Sequence, residues 1–251
     1  EYVVDSHLIP YHLIDVEDPE NEFNLFEFQK RFYSVFDAVR KRGTLPVLVG
    51  GTGLYLESVL CHYDMPEAPV NREKRNDLMK KTTKELQQIL CDLKPRLHNT
   101  TDLEDRERLI RAIEIEMART TAKKKMPGKP EMEAAVFGIQ WDRAELRQRI
   151  TNRLEERLQN GMMEEVANLH AAGLNWSRLE SFGLEYRFIS EYLQQKTSFD
   201  VMKNKLATAI HQFAKRQETW FRRMERKGVA IEWIAHDDYS SLKAKVADSL
   251  K

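Results

Sequence analysis

The chain has 251 residues, 41% hydrophobic and 32% charged, with 40 basic against 40 acidic side chains. That composition suits one large globular domain, or one domain carrying an insertion, and excludes disorder along the whole chain. A net charge of zero argues against a general polyanion binder, and no apolar run approaches the roughly 20 residues of a membrane span.

Cys61 and Cys91 are the two cysteines, with no CxxC and no partner histidine spacing, so neither a disulfide framework nor a zinc site is expected. The N-terminal residues lack the charged-then-apolar order of a signal peptide, and a soluble, cytoplasmic protein is expected. The charges are unevenly spread. Residues 1–40 hold nine acids and three bases, whereas 203–227 hold eight bases and two acids, which suggests a local polyanion-facing surface near the C-terminus. A solvated helix face would read the same way on charge alone.

In chain order, His12 to Val16 reads as a short strand, and Asn24 with Glu27 three places on has the form of a helix start. Phe28, Phe32, Val35, Phe36 and Val39 recur at helical spacing until Gly43. Leu45 to Val49 reads as a buried strand, which completes a strand–helix–strand unit and predicts an α/β fold. Gly50-Gly51-Thr52-Gly53 follows at once, with a helix expected over Leu54 to Leu60.

From about Asp64 to Pro130 strand signals disappear. Leu78, Leu86, Ile89, Leu93 and Leu97, then Leu109 to Glu114, predict a helical insertion, with a basic loop at Lys123 to Pro130. Ala135 to Trp141 is a strand again, and Asp142 with Glu145 repeats the cap signature. Leu146, Ile150, Leu154 and Leu158 then form one apolar stripe, beside which runs Arg149, Arg153, Arg157. Further helices are predicted over about 161–172, 185–195 and 201–226, a strand over Val229 to Ile234, and a closing helix over Leu242 to Leu250. No internal repeat is visible.

Strand–GGTG–helix is a phosphate-cradle geometry, because glycines allow close backbone approach and a helix start offers free N–H groups. A plain tight turn would read the same, and the full G-x-x-x-x-G-K-[ST] pattern occurs nowhere in the chain. The three stripe arginines fit phosphate oxygens through their planar forks, or else are balanced by Glu145, Glu155 and Glu156 on a solvated face. Lys215 to Arg223 mixes bases with Trp220 and Phe221, a composition that holds phosphates and stacks on bases. The alternative is an amphipathic helix whose Phe213, Trp220, Phe221 and Met224 face the core. The seven histidines show no metal-ligand or triad spacing.

Taken together, six stretches resemble the tRNA dimethylallyltransferase family, prenyltransferases with a P-loop NTPase-like parallel sheet flanked by helices. They are Pro10 to Asp15, Leu45 to Tyr55, Asp105 to Glu114, Leu146-x-x-Arg149-Ile150-x-x-Arg153, Tyr186-Arg187, and Ala214 to Arg222, in the family's order across nearly the whole chain. The resemblance implies transfer of a dimethylallyl group from dimethylallyl diphosphate to N6 of the adenine 3′-adjacent to the anticodon, with Mg2+ as cofactor. It implies Thr52 and Arg153 as catalytic residues, Gly50, Gly51, Thr52 and Arg153 as diphosphate contacts, and no metal ligand from this chain. It implies tRNA contacts through Lys74, Glu107, Arg108, Leu109, Ile110, Arg111, Gly183, Tyr186, Arg187, Lys215 and Arg216.

The implied domains are an α/β core over 1–63 and 131–251 and a tRNA-contacting helical insertion over 64–130. The partners implied are the anticodon stem-loop and the prenyl diphosphate, with no membrane and a monomeric state. The family's first strand, its nucleotide- and ATP-type phosphate loop and its general-base Asp are expected upstream of Glu1, and the chain as it stands is expected to be inactive. Glu185 stands where the family more often has Gly, and Ile210-His211 where a Thr-Arg pair is common. The alternatives are a same-fold adenylate dimethylallyltransferase acting on AMP, ADP or ATP, and a non-catalytic RNA-binding fragment.

Overall fold

The computed structural model describes residues 2–69, 71–94, 104–121 and 130–250. The expected basic loop at 123–130 lies outside these residues apart from Pro130, as do Leu97 and His98. The chain divides into two compact units, one formed by Glu1–Cys61 with Met132–Lys251 and the other by His62–Glu131.

The first unit opens with β1 (Val3–Val4) and β2 (His7–Leu8), an antiparallel hairpin in register Val3↔Leu8. Its turn residues Asp5 and Ser6 both take positive φ, 48° and 65°, the twist a two-residue hairpin turn needs. Asp-Ser is a weak version of the usual turn pair, so the hairpin is not evident from sequence. The strand expected over His12 to Val16 does not form. Leu13 and Asp15 sit at φ 63° and 50°, which breaks the extended run at two places.

α1 (Leu25–Lys41) begins where the cap signal placed it, with the Glu27 N–H donating to the Asn24 Oδ1 at 3.1 Å. The strand expected over Leu45 to Val49 joins no ladder among the described residues. Val47 and Val49 are 74% and 86% exposed. β-branched sequence favours a strand, but only paired backbone groups make one. α2 (Gly53–Leu60) follows the GGTG turn, and Phe28, Phe32, Tyr33 and Val59 form a buried cluster between α1 and α2. Gln29 joins the two helices through its Nε2, which donates to the Ser58 carbonyl at 2.8 Å inside that cluster.

The second unit contains α3 (Arg72–Met79), α4 (Thr83–Leu93) and α5 (Arg106–Thr121). Thr82 and Glu85 cap α4 reciprocally, Thr82 N–H to Glu85 Oε2 at 2.7 Å and Glu85 N–H to Thr82 Oγ1 at 3.3 Å. The Thr82 hydroxyl, which also donates to Glu85 Oε2 at 2.7 Å, and the Thr82 N–H hold the Glu85 carboxyl below its ordinary pKa. The apolar stripes meet in a core of Leu78, Leu86, Leu90, Leu109, Ile110 and Ile113. Each such side chain, fully buried, stabilises by about 1.5–3 kcal/mol.

The first unit resumes with β3 (Val136–Gln140) and α6 (Arg143–Gln159), the latter capped by Asp142, whose Oδ1 accepts from the Ala144 and Glu145 N–H groups at 2.7 and 3.2 Å. α7 (Met162–Ala171), α8 (Trp176–Glu180), α9 (Leu184–Leu193) and α10 (Phe199–Arg226) follow. α8 is a single short helix that periodicity does not reveal; its start is set by Asn175, which accepts from the Arg178 N–H at 2.8 Å. Leu154, Met162, Val166, Leu179, Ile189, Met202 and Leu206 close the core across these helices.

β4 (Ile231–Ala235) then pairs parallel to β3, Val136↔Ile231 through Gln140↔Ala235, and α11 (Tyr239–Ser249) ends the chain. The parallel pair is thus joined through the whole α6–α10 layer, the long helical crossover that parallel strands require. Among the described residues no helix is long and apolar enough to cross a membrane.

Candidate active site and RNA-facing residues

The GGTG turn is held against α10. Gln217 donates its Nε2 to the Gly51 carbonyl at 2.8 Å. A Cβ at Gly51 would lie 2.6 Å from that nitrogen, and one at Gly53 would lie 2.3 Å from both Cδ1 and Cγ of Trp220. At Gly53 the neighbour is a ring anchored near helix backbone, so glycine there is what lets the turn seat on α10, whereas at Gly51 the neighbour is the movable end of Gln217. A Cβ at Gly50 would meet nothing nearer than 4.0 Å, which leaves that position open to a ligand.

Further along α2, Glu57 is buried and its carboxylate is paired with Lys227 and with Arg223, the latter at 3.6 Å. The two cations are part-exposed, so the pair sits at a protein edge rather than deep in the core. Burial, reinforced by Glu57, pushes the neighbouring Cys61 thiol pKa up, which keeps that sulfur protonated and unreactive.

Thr52 is the N-cap of α2 with φ −79° and ψ 93°, and its side chain makes no capping hydrogen bond. It is exposed. The Tyr55 N–H is taken by the Thr52 carbonyl at 2.9 Å, and the remaining N–H groups of a helix start beside an uncommitted hydroxyl are a donor set that suits an anion.

The arginine stripe of α6 is resolved residue by residue. Arg149 lies over the Trp141 ring at 4.8 Å, and Arg157 pairs with Glu185 at 3.1 Å. Of the glutamates that could neutralise the stripe, Glu155 pairs with Lys203 at 2.8 Å, Glu145 lies 3.8 Å from His236, and Glu156 shares a cleft with Arg153 without pairing to it among the described residues. Arg153 is exposed and makes no ion pair among the described residues. With Glu156, Arg157, Asn160, Met162 and Glu165 it lines a cleft of about 180 Å³.

α6 and α2 both lean on α10: Thr151 Oγ1 lies 3.4 Å from His211 Nε2, six residues before the Gln217–Gly51 bond. At 1.5 Å per residue those contacts are about 9 Å apart along the helix. The turn and α6 therefore border one stretch of α10, although Arg153, two residues or about 200° round α6 from Thr151, is turned away from that contact.

Residues expected to meet RNA divide between the units. In the second unit Lys74 is exposed on α3, Glu107 is exposed on α5, and Arg108 is exposed with a loose 3.7 Å pair to Asp105. Arg111 pairs with Glu114 at 3.1 Å. Leu109 and Ile110 correct the expectation: they are 0% and 3% exposed and belong to the core, because the helical period turns them inward between Arg108 and Arg111.

In the first unit Gly183, at φ 144°, is the N-cap of α9. Tyr186 donates its hydroxyl to Glu165, and burial together with that carboxylate pushes its pKa up to about 12. Arg187 pairs with Glu191 at 3.5 Å. Glu185 is taken up by Arg157, so its charge is balanced within the protein. Lys215 and Arg216 are exposed and make no ion pair among the described residues. Of the aromatic residues on α10, Phe213 points outward, 41% exposed, against the amphipathic expectation, while Trp220 packs on the turn.

Gln217 and the Glu57 network are the site residues that sequence reading passed over, and Trp220 follows the core-facing alternative. The i, i+3 spacing of Gln217 and Trp220 on the apolar side of α10 was the available signal.

The IPP transferase family model matches residues 4–224. A Syntrophus aciditrophicus protein named tRNA dimethylallyltransferase 1 is 50% identical over 252 residues, covering 100% of this chain and 83% of that one. A Geotalea daltonii protein of the same name is 52% identical over 226 residues, 90% of this chain and 73% of that one. Among solved structures, a full-length tRNA isopentenylpyrophosphate transferase from Bacillus halodurans superimposes with TM-score 0.64 at 23% identity, covering 96% and 77% of the two chains. A eukaryotic dimethylallyltransferase acting on tRNA gives TM-score 0.68 at 18% identity, covering 96% and 64%. These two likenesses show that the chain shares the fold of those transferases. On the family match across most of its length and on half-identity to relatives it nearly spans, the chain belongs to the IPP transferase family.

Proposed function

We propose that the protein is a tRNA prenyltransferase, which moves a dimethylallyl group from dimethylallyl diphosphate to N6 of the adenine 3′-adjacent to the anticodon and releases diphosphate. The observation that carries the reading is the Gly50–Gly53 turn: Gln217 pins it to α10, and it presents the exposed Thr52 hydroxyl at the start of α2. Half-identity along the whole chain to a protein named tRNA dimethylallyltransferase 1 supports the choice of substrate pair.

The chemistry follows from charge. As the allylic carbon–oxygen bond breaks, the N6 lone pair forms the new nitrogen–carbon bond, the electron pair of the broken bond stays on diphosphate, and N6 gives up a proton. Fixed donors aimed at the leaving oxygen lower that barrier because they need no reorganisation when the charge appears. Thr52 Oγ1 and the amides at the start of α2 supply neutral donors, and Arg153, without a carboxylate partner among the described residues, supplies positive charge. The target adenine leaves its stack at a cost of about a few kcal/mol, least in a loop.

RNA is held by cations that have no strong internal partner: Lys215 and Arg216 on the first unit, Lys74 and Arg108 on the second. Phosphate contacts of this kind fix position and leave base selection to stacking and base-edge bonds. The reading places the protein in the cytoplasm.

Magnesium enters the proposal only as the counter-ion of diphosphate. The donor set beside the turn does not fit a protein-held ion, since the nearby carboxylate, Glu57, is buried and committed to Lys227 and Arg223. Hard dications of this size commonly ride on substrate phosphates and water.

The test is to incubate the full-length protein with dimethylallyl diphosphate, magnesium and an anticodon stem-loop, digest the RNA and locate the added mass. A five-carbon addition on the adenine next to the anticodon is expected. Addition elsewhere, or none, refutes the reading.

A further inference from the structure

The turn that offers Thr52 follows Leu45 to Val49, a segment that joins no ladder among the described residues. Its position is set from α10. The Gly51 carbonyl is bonded by Gln217, the Gly53 Cα is packed against Trp220, and both contacts arise one helical turn apart on the same face. The Trp220 ring is fixed in its turn by Arg223, whose guanidinium lies 5.0 Å from the ring centroid and reaches on to Glu57 at 3.6 Å. The Trp220 indole N–H is enclosed without a hydrogen-bond partner among the described residues, so no hydrogen bond sets the ring, and among those residues Gln217 makes the one hydrogen bond from α10 to the turn.

We propose that Gln217 is a positioning residue for prenyl transfer: its bond to the Gly51 carbonyl fixes where the Thr52 hydroxyl and the first α2 amides stand relative to the diphosphate. The assignment rests on the function proposed above and goes beyond it, since Gln217 itself touches neither substrate. Rotation of the Gly51 peptide is the motion the bond prevents. That rotation would swing the neighbouring Thr52 away from the leaving oxygen, and a misplacement of about 1 Å costs up to 10²-fold in rate.

The test compares three substitutions in the full-length protein, with dimethylallyl diphosphate and an anticodon stem-loop as substrates. Gln217→Met keeps the length of the side chain and removes the donor. Gln217→Glu puts a carboxylate against the Gly51 carbonyl. Gln217→His restores an N–H at similar reach. We expect kcat to fall about tenfold in Gln217→Met and further in Gln217→Glu, with Gln217→His recovering most of the loss. KM for the stem-loop and the unfolding midpoint should stay close to wild type, because the bond acts on the transition state and not on RNA binding.

Equal kcat for wild type and Gln217→Met overturns the assignment. So does an equal loss in the His and Met variants, or a loss that follows the unfolding midpoint, either of which makes the role one of packing. Wild-type protein that leaves the stem-loop unmodified overturns the proposed function and this assignment with it, whereas an active wild type with an unaffected Gln217→Met overturns this assignment alone.

Discussion

Gly53→Ala puts the seating of the turn on α10 to a quantitative test. Gly53 is the first residue of α2 and does not have a positive φ, so on backbone grounds alone alanine should stabilise the protein by about 0.4–1 kcal/mol. Packing says the opposite. The new Cβ would stand 2.3 Å from Trp220 Cδ1 and Cγ and 2.8 Å from its Cβ, so the ring or the turn must withdraw by more than an ångström to reach normal contact. Overpacking of this size costs about 1–3 kcal/mol. The Trp220 Cβ is anchored to helix backbone and cannot swing aside, which favours the upper half of that range. The net expectation is a loss of about 1–2 kcal/mol, or roughly 2–8 °C in the unfolding midpoint. Gly50→Ala is the control for stability, because its Cβ would meet only Leu56 Cδ2 at 4.0 Å. Thermal unfolding of the two variants beside wild type decides the matter. A Gly53→Ala protein as stable as wild type, or more so, would show that the turn does not sit on Trp220 and would remove the basis for the site as described.

Other expectations follow from the same geometry. Arg153→Ala should lower kcat by about 10²-fold or more while stem-loop affinity changes little, since the residue is placed at the diphosphate and not at the RNA; equal turnover by variant and wild type ends that role. Arg108→Ala should weaken stem-loop binding and reduce its salt dependence by about one phosphate contact, measured as the slope of log affinity on log salt. Leu109→Ala should cost about 2–5 kcal/mol in denaturant unfolding, because the side chain is wholly enclosed in the core of the second unit; a change confined to RNA affinity would restore it as a contact. Tyr186, raised to about 12 from an ordinary 10.0, keeps its proton in the folded state after the unfolded chain has lost it. Its contribution to stability is therefore complete below pH 10 and lost as pH climbs toward 12, so Tyr186→Phe should flatten the alkaline decline of stability. A wild-type and variant decline of the same steepness would contradict the Tyr186–Glu165 bond.

What the sequence revealed, and what it hid, divides by the range of the interaction. Helix starts are local: Asn24 with Glu27, and Asp142 with Glu145, announce α1 and α6 through bonds spanning two or three residues. The apolar stripes of α4, α5, α6 and α10 are equally local, since a period of 3.6 marks the inward face. Strands depend on a neighbour. Leu45 to Val49 has the composition of one and forms no ladder among the described residues, whereas Val136 to Gln140 finds Ile231 to Ala235 and becomes one.

The same division governs the site. Glycines after an apolar run pointed to the turn, but its anchor, Gln217, lies 166 residues away, and a single sequence carries no mark of that bond. Which glutamates balance the arginines of α6 stayed open for the same reason. Glu155 is close to the arginines in sequence yet pairs with Lys203, and Glu156, which shares a cleft with Arg153, forms no ion pair with it among the described residues. Leu109 and Ile110 show the limit of carrying a motif over as a block: the motif gave five consecutive residues, and the helix turns two of them into the core.

The most direct test of the central claim sets two acceptors in one vessel: an anticodon stem-loop with its adenine next to the anticodon, and AMP, at equal concentration with dimethylallyl diphosphate and magnesium, product read by mass. Prenylated stem-loop with untouched AMP is the expected result. Prenylated AMP would contradict the account and make the protein a mononucleotide prenyltransferase; tight stem-loop binding with neither product would leave an RNA-binding protein without the proposed chemistry.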